Sequence, residues 1–161
     1  MPQIFSEAER KKYYQDLPRK RMSAAALIVR ENRMLIVKPF YRDAWLIPGG
    51  VVEAHESPYD TVSREVKEEI GLNLSIIRPL CFDYMPDQDG KGEAIHFIFE
   101  VRASPESQIH VDGAEITDFM WVEMEEAQRL LVPPLAARVL VACRALETGA
   151  CYCTEQGKIQ A

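Results

Sequence analysis

The sequence predicts a mixed α/β or α+β fold. Short apolar stretches of strand-like composition surround one central helix, and two further helical stretches follow near the C-terminus. The chain has 161 residues, of which 47% are hydrophobic and 27% charged, a balance typical of globular proteins. This length fits one domain over residues 1–161, with an N-terminal helix at 6–16, a core over about 22–147 and a tail at 148–161.

The N-terminal helix is predicted from its capping signal. Ser6 and Glu9 have the spacing of a capping box, which indicates a helix from Glu7 to about Gln15. Apolar strands separated by turn-rich segments follow along the chain, and a short polar turn joins the first two into a β-hairpin. The predicted strands are residues 24–30, 34–38, 45–47, 74–84, 94–101 and 116–122.

A central helix is predicted between the third and fourth strands. Ser57 is a favourable N-cap, and Gly71 suits the residue that follows the last helical turn. Two late helices are predicted at 125–131 and 134–147, the second from a stripe of apolar residues at helical spacing. Residues after Gly149 show no clear pattern and are expected to fray.

The charge balance and residue patterns exclude several classes of protein. Nineteen basic and 25 acidic residues give a net charge of −6, which disfavours non-specific nucleic-acid binding. An acidic protein can still bind phosphates when a divalent cation supplies positive charge. No apolar run reaches the roughly 18 residues of a membrane span, and the N-terminus lacks signal-peptide features. The four cysteines form no C-x-x-C pair, so we expect no zinc site and a cytoplasmic location.

The central helix carries three carboxylates on one side. Glu65, Glu68 and Glu69 fall within an arc of about 100° beside the apolar stripe of the helix. Such a cluster is destabilising, because the like charges repel each other near the negative end of the helix dipole. Carboxylate oxygens suit Mg²⁺ or Mn²⁺, which bridge to substrate phosphates. The alternative is a solvated, glutamate-rich helix face.

Residues around this helix match a known motif. The pattern G-x5-E-x7-R-E-U-x-E-E-x-G-U, with U a bulky apolar residue, is the Nudix box, and the chain resembles the Nudix hydrolases in this region. The preceding 45–49 and the later 121–122 are also similar to that family, so the resemblance covers most of residues 22–147. One loop position departs, since Ala54-His55 stands where glycine is common. The matched positions are Gly50, Glu56, Arg64, Glu65, Val66, Glu68, Glu69, Gly71 and Leu72.

The resemblance implies a Nudix-like α/β/α sandwich, in which a mixed β-sheet lies between helices. Nudix hydrolases cleave a diphosphate linkage in a nucleoside diphosphate joined to another group. Water attacks phosphorus while divalent metal ions, Mg²⁺ or Mn²⁺, neutralise the charge. Arg64 and Glu56 are implied to form an ion pair that orients the helix glutamates. The implied metal ligands are Glu65, Glu68, Glu69 and the Gly49 carbonyl.

Three residues outside the box are further candidates. Glu115 stands six residues before Trp121 and resembles the additional acid that family members supply from a loop, as a further metal ligand; the alternative is a surface glutamate. Strand alternation places His96 and Glu100 on one face. Glu100 is a second candidate acid, and a structural role is favoured for His96 over that of a general base.

Substrate contacts are less clearly encoded. Lys38 and Arg42 flank the entry to the box and are candidates to bind phosphate oxygens, and Tyr41 is a candidate to stack a base. The substrate is expected to be a small nucleotide: either a nucleoside triphosphate, or ADP-ribose or another nucleotide sugar. A catalytically silent nucleotide-binding or regulatory module is the alternative function. No membrane partner is expected, and a homodimer is left open.

Overall fold

The structure is a computed structural model that describes residues 5–104, 106–111 and 113–160. Strands and helices are mixed along these residues, as the sequence predicts. In chain order the elements are α1 (Glu7–Asp16), β1 (Arg21–Leu27), β2 (Val29–Arg30), β3 (Arg33–Pro39), β4 (Gly49–Val51), α2 (Pro58–Ile70), β5 (Leu74–Met85), β6 (Ala94–Ala103), β7 (Ile116–Val122), α3 (Met124–Leu130), α4 (Pro133–Thr148), β8 (Tyr152–Glu155) and β9 (Lys158–Ile159).

The strands in the described part of the chain form two sheets. One has six strands in the order β4-β1-β6-β5-β8-β9, and the other has three in the order β2-β3-β7. The larger sheet is mixed, because β1 pairs with β6 and β5 with β8 in parallel, whereas its other neighbours are antiparallel. The predicted α+β class with a mixed sheet is therefore confirmed.

Helices cover both faces of the larger sheet. On one face Val66 of α2 belongs to a core cluster with Phe99 of β6. On the other face Val139 of α4 packs in a second cluster with Ile98, the neighbouring residue of β6. Successive strand residues point to opposite faces, so one strand serves both clusters. This helix–sheet–helix arrangement is the one that the family resemblance implies.

The signals for the helix bounds are confirmed. Ser57 caps α2 by accepting a hydrogen bond from the Asp60 N–H at 3.2 Å, and Ser6 caps α1 in the same way. Gly71 ends α2 in the left-handed conformation, at φ 73°. Both signals are local, which is why the sequence alone reveals them. Among the described residues, no helix combines the length and the apolar character that crossing a membrane requires.

The predicted β-hairpin over 24–30 and 34–38 is wrong for most of its first strand. β1 pairs with β4 and β6 in the larger sheet, and only the two-residue β2 pairs with β3. The chain passes from one sheet to the other at Ile28, which is buried. Apolar composition indicates a strand, but the partner of that strand is decided by tertiary packing.

The third predicted strand, 45–47, is displaced along the chain. Trp45 and Leu46 make only isolated bridges, whereas the strand β4 begins at Gly49, two residues beyond the predicted end. Gly49 has φ 147°, and a side chain there would overlap the Ala24 carbonyl oxygen of β1. The glycine therefore permits a close approach of the two strand backbones. In a sequence alone, the same glycine would be taken as the sign of a turn.

The C-terminal residues 152–159, expected to fray, instead form the hairpin β8–β9. β8 pairs in parallel with β5, and Asp83 of β5 accepts hydrogen bonds from Thr154 Oγ1 at 2.7 Å and from the Gly157 N–H at 2.8 Å. The prediction fails because the partner lies about 70 residues earlier in the sequence. We refer to residues 152–159 as the C-terminal hairpin.

The docking of this hairpin can be tested with two glycines of similar conformation. Gly157 and Gly90 have φ 74° and 72°, but a Cβ at Gly157 would lie 2.5 Å from the Ala137 Cβ of α4, whereas a Cβ at Gly90 would meet no described atom within 4 Å. Gly157→Ala should lower the free energy of unfolding by about 1–3 kcal/mol more than Gly90→Ala, as measured by urea denaturation. Equal losses would show that the hairpin is not packed against α4.

Candidate active site

The carboxylates of α2 lie against the backbone of β4. The Gly49 N–H donates to Glu69 Oε2 at 3.0 Å, and Glu69 is buried. A side chain at Gly50 would overlap the Glu65 carboxylate. The contact of Glu65 therefore depends on the absence of a Cβ at Gly50. The two contacts place two helix carboxylates at the edge of the larger sheet.

Arg64 connects the glutamates to each other. Its Nε and Nη2 donate to the two oxygens of Glu56 at 2.8 and 2.9 Å, a bidentate pair. Its Nη1 donates to Glu65 Oε1 at 2.9 Å and to Glu68 Oε2 at 3.2 Å. Glu56 also accepts from Thr61 Oγ1 at 2.8 Å. One guanidinium group thus offsets the repulsion among three carboxylates.

The electrostatics of these carboxylates are unequal. The hydrogen bonds from Arg64 lower the pKa of Glu56 to about 2. Burial raises the pKa of Glu65, the contact with Arg64 opposes that rise, and the charges of Glu68 and Glu115 add to it. The anionic form of Glu65 is therefore destabilised in the folded protein. A further cation at this position would relieve that destabilisation.

Glu115 lies on the same side of the molecule as the α2 carboxylates. It precedes β7 in a loop whose backbone is held by a 2.9 Å hydrogen bond from the Phe40 N–H to the Glu115 carbonyl oxygen. Its charge is close enough to Glu65 to raise the pKa of that residue. The structure therefore brings this predicted loop acid into the electrostatic field of the helix carboxylates.

The donor groups fit a hard divalent cation by their chemistry, because they are carboxylate oxygens beside a backbone carbonyl. In the structure these groups are not arranged as a metal site. Within residues 5–104, 106–111 and 113–160, no three acidic, histidine or cysteine side chains are close enough together to hold a metal ion. Glu65 and Glu68 are both partners of Arg64. A cation here would have to compete with the guanidinium group for these oxygens.

A cleft adjoins Gly49 and Gly50 on the face of the sheet that carries α4. Its inner part has a volume of about 200 Å³ and is lined mainly by apolar residues of β1, β6 and α4. An outer part of about 350 Å³ continues past His96 and Arg138, which line both parts. The cleft thus runs from the β4 edge of the sheet outward across its α4 face.

His96 and Glu100 share one strand face, as predicted, and both lie on the α4 side. His96 Nδ1 is 2.6 Å from Ser23 Oγ, and burial lowers the pKa of His96 to about 4, so the ring is neutral near pH 7. Glu100 accepts a 2.8 Å hydrogen bond from Arg78, whose other nitrogens donate to carbonyls at the C-terminal end of α4. The structure therefore does not bring Glu100 to the α2 carboxylates.

The predicted substrate-binding residues lie in two different hollows of the structure. Arg42 lines both parts of the cleft. Lys38 and Tyr41 line a shallow hollow that shares only Arg42 with the cleft, and Lys38 forms an ion pair with Asp43. The sequence reasoning missed Arg138, because nothing in the apolar pattern of 134–147 distinguishes it from Arg144 or shows that it faces a cleft.

Comparisons with known proteins agree with this geometry. A family model described as the NUDIX domain matches residues 19–143. A MutT-like protein of Streptomyces ambofaciens is 29% identical over 120 residues, 74% of each chain. A probable DHNTP pyrophosphohydrolase of Lactococcus lactis subsp. cremoris is 30% identical over 115 residues, 68% of each chain.

The fold is shared with solved structures. A NUDIX hydrolase from Nitrosomonas europaea has a TM-score of 0.72 at 16% identity, over 86% of this chain and 80% of that chain. At this identity the likeness shows the fold alone. The family model, however, covers more than half of the chain and includes the whole carboxylate helix. The chain therefore belongs to the Nudix hydrolase family, the resemblance that its box predicts.

Proposed function

We propose that this protein is a divalent-metal-dependent hydrolase that cleaves a diphosphate linkage in a nucleotide. The observation that carries the proposal is the position of the α2 carboxylates. Glu65 and Glu69 lie against the backbone of Gly49 and Gly50, and these two glycines line the inner part of a cleft. A diphosphate is strongly anionic, and the carboxylates alone would repel it. A site that acts on a diphosphate here therefore needs bound cations between the two.

The proposed roles follow from the contacts. Mg²⁺ or Mn²⁺, when bound, would neutralise the diphosphate and acidify a bound water. Arg64 holds Glu56 by a bidentate pair and Glu65 and Glu68 by single hydrogen bonds, so it sets the direction of the carboxylates. The groups that would hold the cation are Glu65, Glu68, Glu69, the Gly49 carbonyl oxygen and Glu115.

Two substrate classes are compatible with this chemistry. A nucleoside triphosphate would give a monophosphate and pyrophosphate, whereas ADP-ribose or another nucleotide sugar would give two monophosphates. One relative is named as a pyrophosphohydrolase. The carboxylate edge itself does not discriminate between these classes, because both present a diphosphate to it.

The proposal is tested by incubating the protein with nucleoside triphosphates and nucleotide sugars in Mg²⁺ or Mn²⁺ and identifying the products. We expect hydrolysis that is abolished by a chelator and restored by excess metal. Binding of nucleotides without any hydrolysis in either metal would instead support the catalytically silent module. Activity that is indifferent to chelation would contradict the assignment of the carboxylates to a metal.

Neutralising the carboxylates of α2 should separate activity from stability. Glu68→Gln or Glu69→Gln should each lower turnover by at least about a hundredfold, because a ligand of the cation is lost. The melting temperature should stay equal or rise, since a like-charge repulsion is relieved. Glu126→Gln, an exposed glutamate of α3, is the matched control. Near-normal turnover in both variants would refute the metal assignment.

Replacing Arg64 should flatten the pH dependence of stability. Because the pKa of Glu56 is about 2 in the folded protein, against an ordinary 4.5, its carboxylate stabilises the fold above pH 4.5 and this stabilisation is lost as the pH falls toward 2. Arg64→Met should remove that contribution. It should also raise the pKa of Glu65 further, which acts in the same direction.

The measurement is urea unfolding at several pH values. Between about pH 5 and pH 3 the free energy of unfolding should fall less for Arg64→Met than for the wild type. At neutral pH the variant should be less stable and less active, because its carboxylates lose their partner. Arg33→Met, at the exposed first residue of β3, is the control. Parallel pH profiles would contradict the orienting role of Arg64.

A further inference from the structure

The outer part of the cleft is positively charged, although the whole chain carries a net charge of −6. Among the described residues that line it, none is a carboxylate. His96 contributes no charge near neutral pH, because burial and the nearby Arg138 and Arg21 lower its pKa to about 4. The basic residues that line it are Arg21, Arg42, Lys91 and Arg138.

Arg138 differs from the other cations in being mostly buried while part of its guanidinium group makes no hydrogen bond. Arg21 donates to the Lys91 carbonyl at 2.7 Å, and the guanidinium of Arg42 lies 5.3 Å from the ring of Tyr41. Arg138 uses only its Nε, which donates to the Pro134 carbonyl at 3.0 Å. Within the part of the chain that the structure describes, no protein group accepts a hydrogen bond from its two Nη atoms.

The position of Arg138 is set by a buried carboxylate. Asp83 Oδ2 lies 3.3 Å from Arg138 Nε, an ion pair in which the aspartate side chain is 0% and the arginine side chain 12% exposed. Asp83 Oδ1 accepts from Thr154 Oγ1 and the Gly157 N–H. Since both Oδ1 partners belong to the C-terminal hairpin, Asp83 links that hairpin to the wall of the cleft.

We propose that Arg138 is a substrate-binding residue that takes an anionic group of the nucleotide, and thereby favours nucleotides ending in a free phosphate over those ending in an uncharged sugar. This inference rests on the proposed function, of which it names the substrate class. A guanidinium with two free Nη atoms matches the oxygens of a phosphate in a bidentate manner. Its burial makes the charge poorly hydrated, which favours an incoming anion.

The position of Arg138 in the cleft supports the same assignment. The inner part adjoins Gly49 and Gly50, where the diphosphate would meet the carboxylates, and Arg138 lines the inner and the outer part. A nucleotide held at the carboxylate edge can therefore extend a second group toward Arg138. An uncharged sugar would leave the two Nη atoms without an acceptor, whereas a terminal phosphate would accept hydrogen bonds from them.

The test compares kcat/KM of the wild type and Arg138→Gln for ATP, GTP, CTP and UTP against UDP-glucose and ADP-ribose. We expect the wild type to prefer the triphosphates. Arg138→Gln should lower kcat/KM for the best triphosphate by about tenfold to a hundredfold, mainly through KM, and by less than about threefold for the sugar nucleotides. Arg144→Gln, an exposed arginine of the same helix that packs on Tyr152, should change neither.

The outcomes separate this inference from the proposed function. Hydrolysis by the wild type with equal losses for both substrate classes in Arg138→Gln would overturn the inference and leave the function standing. A preference of the wild type for sugar nucleotides would likewise overturn the inference and leave the proposed function standing. If the wild type hydrolyses neither class, the function fails, and calorimetric binding of ATP then decides the inference: equal affinity in wild type and Arg138→Gln overturns it, whereas weaker binding in the variant supports it.

The role of Asp83 as a positioning residue has its own test. Asp83→Asn keeps an oxygen for Thr154 and Gly157 but removes the charge that holds Arg138, so it should lower the triphosphate preference through KM with kcat nearly unchanged. Should this variant fail to fold, Thr154→Val removes one hydrogen bond to Asp83 and should produce a smaller shift in the same direction. An unchanged substrate preference in a folded variant would refute the positioning role.

Discussion

The site depends on a close approach between α2 and the two glycines that begin β4. Glu65 occupies the space that a side chain at Gly50 would fill, Gly49 lets β4 approach β1, and Glu69 accepts a hydrogen bond from the Gly49 N–H. That approach gathers negative charge, which is unfavourable unless cations are nearby. Arg64 supplies part of the compensation, and the raised pKa of Glu65 shows that the compensation is incomplete. A bound cation would offset this residual imbalance.

A second buried charge pair follows the same principle on the opposite face of the sheet. Asp83 and Arg138 are both removed from water, and each would be unfavourable alone. The hydrogen bonds of the C-terminal hairpin satisfy one oxygen of Asp83, and the ion pair engages the other. Arg138 keeps donors that face the cleft. In both places the charges are only partly compensated, with carboxylates at the β4 edge and an arginine beside the cleft.

The sequence predicted elements whose signals are local. The capping residues of α1 and α2, and the helical spacing that gathers Glu65, Glu68 and Glu69, involve residues within one or two helical turns. The strand assigned to 45–47 and the frayed C-terminus were wrong because their outcome depends on distant partners. β4 forms where glycine lets it approach β1, and the C-terminal hairpin forms where β5 offers an edge and Asp83 offers a buried acceptor.

The sequence by itself determined the family, the carboxylate helix and its capping, because each is written in residues close together along the chain. Only the tertiary structure decided that β1 leaves the predicted hairpin to pair with β4 and β6, and that Glu100 pairs with Arg78 away from the carboxylates. It alone also placed Arg138 in the cleft, since that position depends on Asp83, 55 residues before it in the sequence. Contacts between distant segments follow from packing and burial, which no local pattern of residues encodes.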